Sequence, residues 1–503
     1  MGSGLWEIVE MAIDWHRPEY EREKDRWQLV DDMVSERNLA KHIPDLDTLK
    51  GLEILRNEEG EVTYRANADT RRNDEFKSRA SFFGASGQTL ESLIGTAFEK
   101  DPQITLPTGL EYLLANVDGS GIDMWQQMQE TTGETLKKAR AGLYVTMPET
   151  DGAVSIADQE AMRAVATIAL IDAKRIINWW TETDGADTYL AGVVFTDTRE
   201  EIENYEVKEI DICRELAIDE EGYFFDRAWV KGDGGFEGED PIYPTDSSGN
   251  RLTRIPFMFV GARRNHWDIQ KPPMLSLARK NRDHYRNSAI NEEGIWFSGH
   301  IQPVADELDP EVWEQITGEM KIGGGHMMVA KGFKFEVAEP NTAARQGMID
   351  KAEEMAALGA KMLQPGGVAK TAQQDAGEQR LQHSVLSLVS VNVEDAYQWA
   401  AERVQEFMGV AGEIEVKLNR SFMEPMVTAE KMREMRENLL SGVIGPEEMF
   451  MALQRSGDIK ADKTFDEYSE ELGMRGVTGS SDDIDDNVVD FESALIEGLT
   501  GGR

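Results

Sequence analysis

The spacing of apolar positions changes character several times along the chain, and each change predicts a different kind of element. The first 45 or so residues are charged and helix-leaning, with Trp6, Ile13, Trp27, Val30 and Val34 as scattered anchors. Residues 79–100 (RASFFGASGQTLESLIGTAFEK) predict a short turn and then an amphipathic helix, because Leu90, Leu93, Ile94 and Ala97 share one face at helical period. Thr89 is the expected N-cap. A second helix is expected over Met124–Ala141, running into a strand-like LYVTM at 143–147. Between about 165 and 262 the pattern becomes short apolar runs (AVATIAL, LAGVVF, EGYFFDRAWV, IPFMFVGA) separated by turn residues at 184 (DGA), 231 (KGDGG) and 247 (SSGN). That region is expected to be β-rich and partly antiparallel.

Helical spacing returns after Pro272-Pro273. PPMLSLARKNRDHYRNSAINEEGIWF puts proline at a helix entrance and meets no breaker until Gly294. An acidic segment (QPVADELDPEVWEQITGEM) and two strand-like pieces, HMMVA and FKFEVAE, follow. A second uninterrupted helix, NTAARQGMIDKAEEMAALGAKML, stops at Gln364-Pro365-Gly366-Gly367, where proline and paired glycines end a helix. A polar stretch (VAKTAQQDAGEQ) leads to a third long helix from Arg380 to about Met408. Two short helices are expected to meet at Gly445-Pro446, and the acidic, glycine-rich tail from about 476 reads as weakly ordered. The whole is an α+β pattern, with a length that suits two to four domains.

Charge is the compositional fact that changes this picture most: 53 Lys and Arg face 94 Asp and Glu, a net charge of −41. Such a surface repels nucleic acid and anionic membrane at long range, which argues against tight binding to phosphates. At 40% hydrophobic and 29% charged residues, the composition is globular rather than disordered. No run approaches the roughly 20 apolar residues of a membrane span, and the N-terminus carries acid where a signal peptide carries lysine. The chain is therefore expected to be soluble and unprocessed. The single cysteine, Cys213, excludes an internal disulfide and Cys-cluster zinc sites.

Candidate chemistry is sparse. NVDGSGIDMWQQ at 116–127 imitates a calcium loop, but in that register Asp123 occupies the apolar position and Gln127 the bidentate glutamate position, so a helix-capping turn is expected instead. The glycine-rich Gly84–Thr89 turn lacks the lysine and spacing of a phosphate loop, and Gly323-Gly324-Gly325 opens no helix. The seven histidines (16, 42, 266, 284, 300, 326, 383) share no metal-ligand spacing, and no nucleophile motif is present. No catalytic residue, metal or cofactor is expected, and the chain is read as a non-enzyme. More informative is the contrast between Lys271–Arg286, with five bases against Asp283, and Ile301–Met320, with six acids and no base. Solvated faces would account for it; so would pairing between subunits or partners that fixes register. The second long helix carries Ala343, Ala344, Met348, Ala352, Met355, Ala356 and Met362, residues that allow close and irregular helix packing.

In this order of elements the chain resembles the portal proteins of tailed bacteriophages, ring-shaped and usually twelve-subunit assemblies through which DNA is packaged and ejected. The similarity runs from Arg79–Phe83 and TLESLIGTAFEKDPQI through PTGLEYLLANVDGSG and RIINWW to LLSGVIGPEEMFMALQRSGDI, about 75–460, and is most specific in IPFMFVGA followed by KPPMLSLARKNRDHYRNSA. The resemblance implies a wing over 1–270 (its first 75 residues unmatched), a first stem helix over 271–297 and a β-containing clip over 298–340. It further implies a second stem helix over 341–363, a tunnel loop over 364–379, a long wing helix over 380–410, a helical crown over 411–475 and an acidic tail over 476–503. Gln364, Lys370, Gln373 and Gln374 would face DNA, and Glu311, Trp313, Glu314 and Ile316 would form the partner-docking surface of the clip. The implied location is the virion, at the unique capsid vertex, after assembly in the host cytoplasm. Implied partners are further copies of the chain, the terminase motor, the head-tail adaptor, the major capsid and scaffold proteins, and double-stranded DNA passing without tight binding; no membrane is involved. The alternative is another acidic virion or head-assembly protein without a channel. Twelve copies would carry roughly −490 formal charges, and an acidic conduit makes no phosphate contacts that would brake sliding DNA.

Overall fold

A computed structural model describes residues 13–45, 50–56, 62–68, 70–146, 165–232, 234–299, 304–306, 328–330, 342–363, 384–419, 433, 437–439, 441, 445–455 and 463–471. The chain divides into two units, 1–420 and 421–503. In the first unit the helices are α1 (Pro18–Ser35), α2 (Thr70–Arg79), α3 (Ala85–Ala97), α4 (Met124–Lys138), α5 (Leu275–Gly299), α6 (Ala343–Leu363) and α7 (Val385–Met408). Its strands are β1 (Lys50–Arg56), β2 (Val62–Ala68), β3 (Gln103–Thr105), β4 (Arg140–Thr146), β5 (Thr167–Asp172), β6 (Ile176–Asp184), β7 (Asp187–Glu203), β8 (Glu206–Ile218), β9 (Phe224–Gly232), β10 (Gly235–Gly238), β11 (Phe257–Gly261), β12 (Val304–Asp306), β13 (Met328–Ala330) and β14 (Glu415–Lys417). The fold is mixed, with helices and mainly antiparallel sheets, as the α+β pattern predicts.

Strands β6 to β10 form a five-stranded antiparallel meander, each strand pairing with its sequence neighbour. Strands β11, β4 and β5 form a second antiparallel sheet with β4 in the middle. Six consecutive residues of β4, Arg140–Val145, are buried, the continuous run expected of a strand covered on both faces. The core gathers Trp27 of α1 with Tyr144, Ile171, Ile176, Trp179, Val193, Phe195, Leu216, Phe224, Trp229, Phe257 and Phe259 of the two sheets. Gly192 is required there, because a Cβ would lie 1.9 Å from the Trp180 ring. In the second unit Phe450 of α8 (Pro446–Arg455) packs on Phe465 and Tyr468 of α9 (Phe465–Glu471), with ring centroids 5.5 and 5.1 Å apart.

α7 is the helix around which the first unit is organised. Ser384 caps its N-terminus, its hydroxyl accepting from the Ser387 amide, and Gly409 ends it in the left-handed conformation. Val389, Val393, Ala396, Tyr397, Ala400, Ala401 and Val404 are fully buried. Glycine-free and alanine-rich, this stripe lets the helix lie close to α4 and to the β4–β11 sheet. Buried polar groups on it are paired: the Tyr397 hydroxyl lies 2.9 Å from Gln127 Oε1 and 2.8 Å from Thr131 Oγ1, both on α4, and Asn392 donates to the Gly261 carbonyl.

Several expected boundaries shift. α3 begins at Ala85 with Gly84 as N-cap, so Thr89 lies inside the helix and donates to the Ala85 carbonyl rather than capping. The earlier start is held by tertiary contacts, the Ser86 amide bonding to Asn281 on α5 and Gly87 abutting the Val34 carbonyl of α1. α4 stops at Lys138, not Ala141, because Ala139 turns left-handed and Arg140 enters sheet pairing with Gly261. The β1–β2 hairpin carries no sequence signal strong enough to mark it beforehand; β13 falls within the strand-like HMMVA, while its partner β12 lies in the acidic segment, where the pattern predicts no strand. β14 pairs with β3, which attaches residues otherwise assigned to the C-terminal crown to the first unit.

Replacing Tyr397 with Phe should lower the urea midpoint without changing the m-value, a loss of about 1–3 kcal/mol, because the buried Gln127 carbonyl loses a donor.

Candidate functional site

The segment singled out by its helix–module–helix order is built on α5 and α6, and their sequence explains how they sit. α5 buries Leu275, Leu277, Ala278, Asn281, His284, Tyr285, Ser288 and Ala289, with Met274 just before it, a helical stripe that ends after about four turns. From Ile290 to Trp296 no residue is buried, so the helix emerges from the body it is rooted in. Its 25 residues span about 37 Å at 1.5 Å per residue. α6 runs antiparallel to it: Lys280 pairs with Glu354, and a Cβ on Gly347 would meet Asn287 at 2.6 Å. Met355 and Met362 of α6 are buried, while Ala343, Ile349, Ala356, Ala357 and Ala360 stay exposed.

The root of α5 is fixed by two buried polar side chains. Asn281 accepts from the Ser86 amide at 2.9 Å and donates to the Phe83 carbonyl at 2.7 Å. Ser288 accepts from the Ser81 amide at 3.0 Å and donates to the Ser81 carbonyl at 2.7 Å. The helix thus binds the backbone of segment 81–84 and the first turn of α3, and the side chains of Ile43, Phe76, Phe82, Tyr285 and Ala289 close over it. Arg79 of α2 reaches Glu293 and stacks on Trp296, its guanidinium carbon 4.3 Å from the ring centroid. The basic run of α5 is engaged within the chain: Arg282 and Arg286 pair with Asp283, Arg286 donates to the His42 carbonyl, and Lys280 pairs with Glu354.

His284 is buried in this root beside Phe83, with no hydrogen bond to Nδ1 among the described residues. Burial, assisted by Lys351 of α6, pushes its pKa below the ordinary histidine value of 6.5. It is therefore kept neutral when folded.

Beyond α5 lie the short parallel strands β12 and β13, joined in register from Val304↔Met328 to Asp306↔Ala330. The clip residues Glu311, Trp313, Glu314 and Ile316 lie outside the described residues, as do the tunnel-loop residues Gln364, Lys370, Gln373 and Gln374. The described elements frame these segments, α6 ending at Leu363 and α7 beginning at Val385.

Titratable clusters elsewhere are structural in geometry. Lys138 is buried at the α4–β5 junction with Glu134, Asp172 and Asp31 around it, and their charges hold its pKa above the usual lysine value despite burial. Arg140 is 1% exposed and lies between the Trp179 and Phe259 rings, 4.0 Å from each centroid, donating to the Trp267 carbonyl. Burial and the proximity of Arg17 pull its guanidinium down to about 9, still protonated at neutral pH; the ring faces supply the missing counter-charge. Asp226 accepts from Tyr144 at 2.6 Å and from Arg214 at 2.8 Å beside a cavity of about 290 Å³. The Cys213 thiol is buried and pushed up to about 11, the opposite of an activated nucleophile. The Gly84 turn offers no anion cradle, since the Ser86 amide is spent on Asn281 and the Ala85 amide on Phe83. Asp123 caps α4 by accepting from the Gln126 amide, so the calcium-like stretch is a capping turn. Among the described residues no group of three His, Cys, Asp or Glu could hold a metal ion.

Sequence reasoning missed the Asn281–Ser288 anchor and the Arg140 stack. The available signal was a polar residue at every second turn of an otherwise apolar helical stripe, which marks a buried hydrogen bond rather than a surface.

A family described as "Domain of unknown function (DUF4055)" matches residues 273–408, from the entrance of α5 to the end of α7 and about a quarter of the chain. No curated protein matches. Among solved structures the chain is similar to one in "Neck of native GTA particle computed with C12 symmetry", with 15% identity, a TM-score of 0.33, and coverage of 72% of this chain and 88% of that one. It is also similar to one in "Neck of empty GTA particle computed with C6 symmetry", with 15% identity, a TM-score of 0.34, and coverage of 74% and 90%.

Because the unfolded chain takes up a proton at His284 more readily than the folded one, stability should fall as pH drops through about 6.5. His284→Gln should flatten part of that slope in thermal unfolding between pH 7.5 and 5.5; an unchanged slope would show that His284 protonation is not coupled to unfolding.

Proposed function

We propose that this chain is the subunit of a phage-type portal, a closed ring whose central hole passes double-stranded DNA at one vertex of a capsid. The observation that carries this reading is the α5–α6 pair: two long, uninterrupted antiparallel helices, rooted in a mixed body at one end and bracketing a short β pair at the other. A long helix pair of this kind serves poorly as a globular core, since a whole face of α6 and the last turns of α5 remain uncovered in a single copy. Ile290, Ile295 and Ile349 are each about half exposed there. Apolar faces in that position suit contact with neighbouring copies.

The net charge of −41 supports a conduit rather than a grip, because phosphates find few cations and release few counterions. In this reading residues 298–340 meet the motor and the adaptor, with Glu311, Trp313, Glu314 and Ile316 at the contact. Residues 364–379 border the DNA, with Gln364, Lys370, Gln373 and Gln374 nearest to it. The protein is a structural component and not an enzyme.

Light scattering on the purified full chain should give several hundred kDa, on the order of twelve chain masses, at salt concentrations that screen surface charge. A monomer at every concentration and salt would reject the ring, and a large assembly lacking a hole would favour a head-assembly protein without a channel. Deleting Gly367–Gln374 should leave the assembled mass nearly unchanged and impair DNA packaging or retention; loss of the assembly would make that segment structural.

A further inference from the structure

One part of the molecule makes no use of its own apolar residues. β7 and β8 continue past the sheet that contains them: β6 supports β7 only as far as the Ile176↔Phe195 pair, and β9 supports β8 only from Ile212↔Val230. Residues 198–211 are therefore a two-stranded arm, about 20 Å long at 3.3 Å per residue. Its turn residues Asn204 and Tyr205 have φ of 52° and 69°. Such a turn ordinarily takes Asn-Gly, because a bulky residue at positive φ is strained by about 1 kcal/mol or more. Here the strained residue is a tyrosine that is 101% exposed, with Ile202 at 76% and its cross-strand partner Val207 at 58%. Among the described residues nothing repays that strain or covers those side chains. Around them the arm carries six acids against Arg199 and Lys208, and Arg199 is held by Glu239.

A matching recess lies at the other end of the same strand. Between the 252–258 segment and α7 is a groove of about 410 Å³ floored by Leu252, Met258, Trp399 and Phe407. Arg254 and Arg403 stand at it, Arg254 stacked on Tyr189 near the start of β7 and Arg403 with its buried Nε unpartnered. The acids beside them are engaged: Asp246 accepts from Ser248 and Asn250 in its own turn, and Glu406 pairs with Arg403. A larger groove between α3 and α4 is lined by Glu130, Glu134 and Asp172 against Lys137 and Arg175, an acidic excess that suits an acidic arm less well than the balanced charges here. From Tyr189 to the arm's turn is about 45 Å of extended strand, so tip and groove cannot meet within one copy.

We propose that the β7–β8 arm of one copy seats Ile202, Tyr205 and Val207 in the α7 groove of the next, its acids meeting Arg254 and Arg403. The contact is head-to-tail, using two different surfaces at opposite ends of one strand, which is the kind of contact a closed ring requires. The assignment rests on the ring reading above and names the surfaces that hold neighbours together.

The test uses the full chain with cysteine pairs, which native Cys213 does not disturb because it is buried. Under mild oxidation a Glu206→Cys, Thr253→Cys double variant should give a covalent ladder extending past the dimer, while a mixture of the two single variants should stop at linked pairs. Independently, Ile202→Ser with Tyr205→Ser should weaken self-association about tenfold or more, and Arg403→Glu should do the same, with recovery on combination with Glu206→Arg. If the wild type assembles but the double variant gives no ladder and the serine variant assembles unchanged, the arm assignment is overturned and the ring stands. Loss of incorporation into particles with self-association unchanged would assign the arm to a different protein and overturn it equally. A wild type that never assembles removes both.

Discussion

The direction and register of the α5–α6 pair depend on how α5 is rooted. Asn281 and Ser288 project from a buried helical stripe and satisfy both backbone groups of Ser81, the carbonyl of Phe83 and the amide of Ser86. A buried amide or carbonyl left unpaired costs about 1–3 kcal/mol, so these four bonds hold the helix at one rotation and one depth. Ordinary hydrophobic packing would tolerate a slide of α5 by a residue; this arrangement does not. With its first four turns held, the remaining turns have a defined direction in which to leave the body, and α6 follows them back in antiparallel register.

The acidic composition imposes a second constraint. A chain of this charge must place its few interior cations carefully, and it does so in two ways. Lys138 sits among three carboxylates, while Arg140 forms no direct ion pair among the described residues, feels Asp268 only at a distance, and uses two aromatic faces and a carbonyl. Asp172 has its pKa lowered although burial acts to raise it, chiefly by Lys138. The Lys138 cluster accordingly contributes from above the ordinary carboxylate range up to the ordinary lysine range. Its stabilisation fades as pH falls through the depressed Asp172 pKa, or as pH rises through the elevated Lys138 pKa. Both cations lie at the α4–β4 junction, where the expected helix gives way early to strand.

Helices α4 to α7 were legible because their apolar spacing is sustained, and proline or glycine marks the ends of all but α4, whose stop at the left-handed Ala139 carries no such residue. The 165–262 sheets were legible because their apolar runs are short and the turns between them are glycine-bearing. Where tertiary contacts overrode local pattern, the reading slipped: Ser86 and Gly87 belong to α3 only because Asn281 and α1 approach them closely. The β7–β8 arm was invisible for a different reason. TREEIENYEVKEID has the composition of a solvated segment, and only the register beyond both neighbouring strands shows that it projects with uncovered apolar residues. Of the site itself, sequence located the helix pair but not the polar anchor beneath it, because Asn281 and Ser288 look like surface residues in a basic run.

The central claim is that the α5–α6 pair faces a hole shared by many copies, and electron microscopy of the purified full-length chain tests it most directly. The account predicts end-on class averages of closed rings with a central hole and side views with a narrower stalk on one side, formed by the helix pair. Uniform small particles the size of one chain, or large assemblies with solid centres, would contradict it.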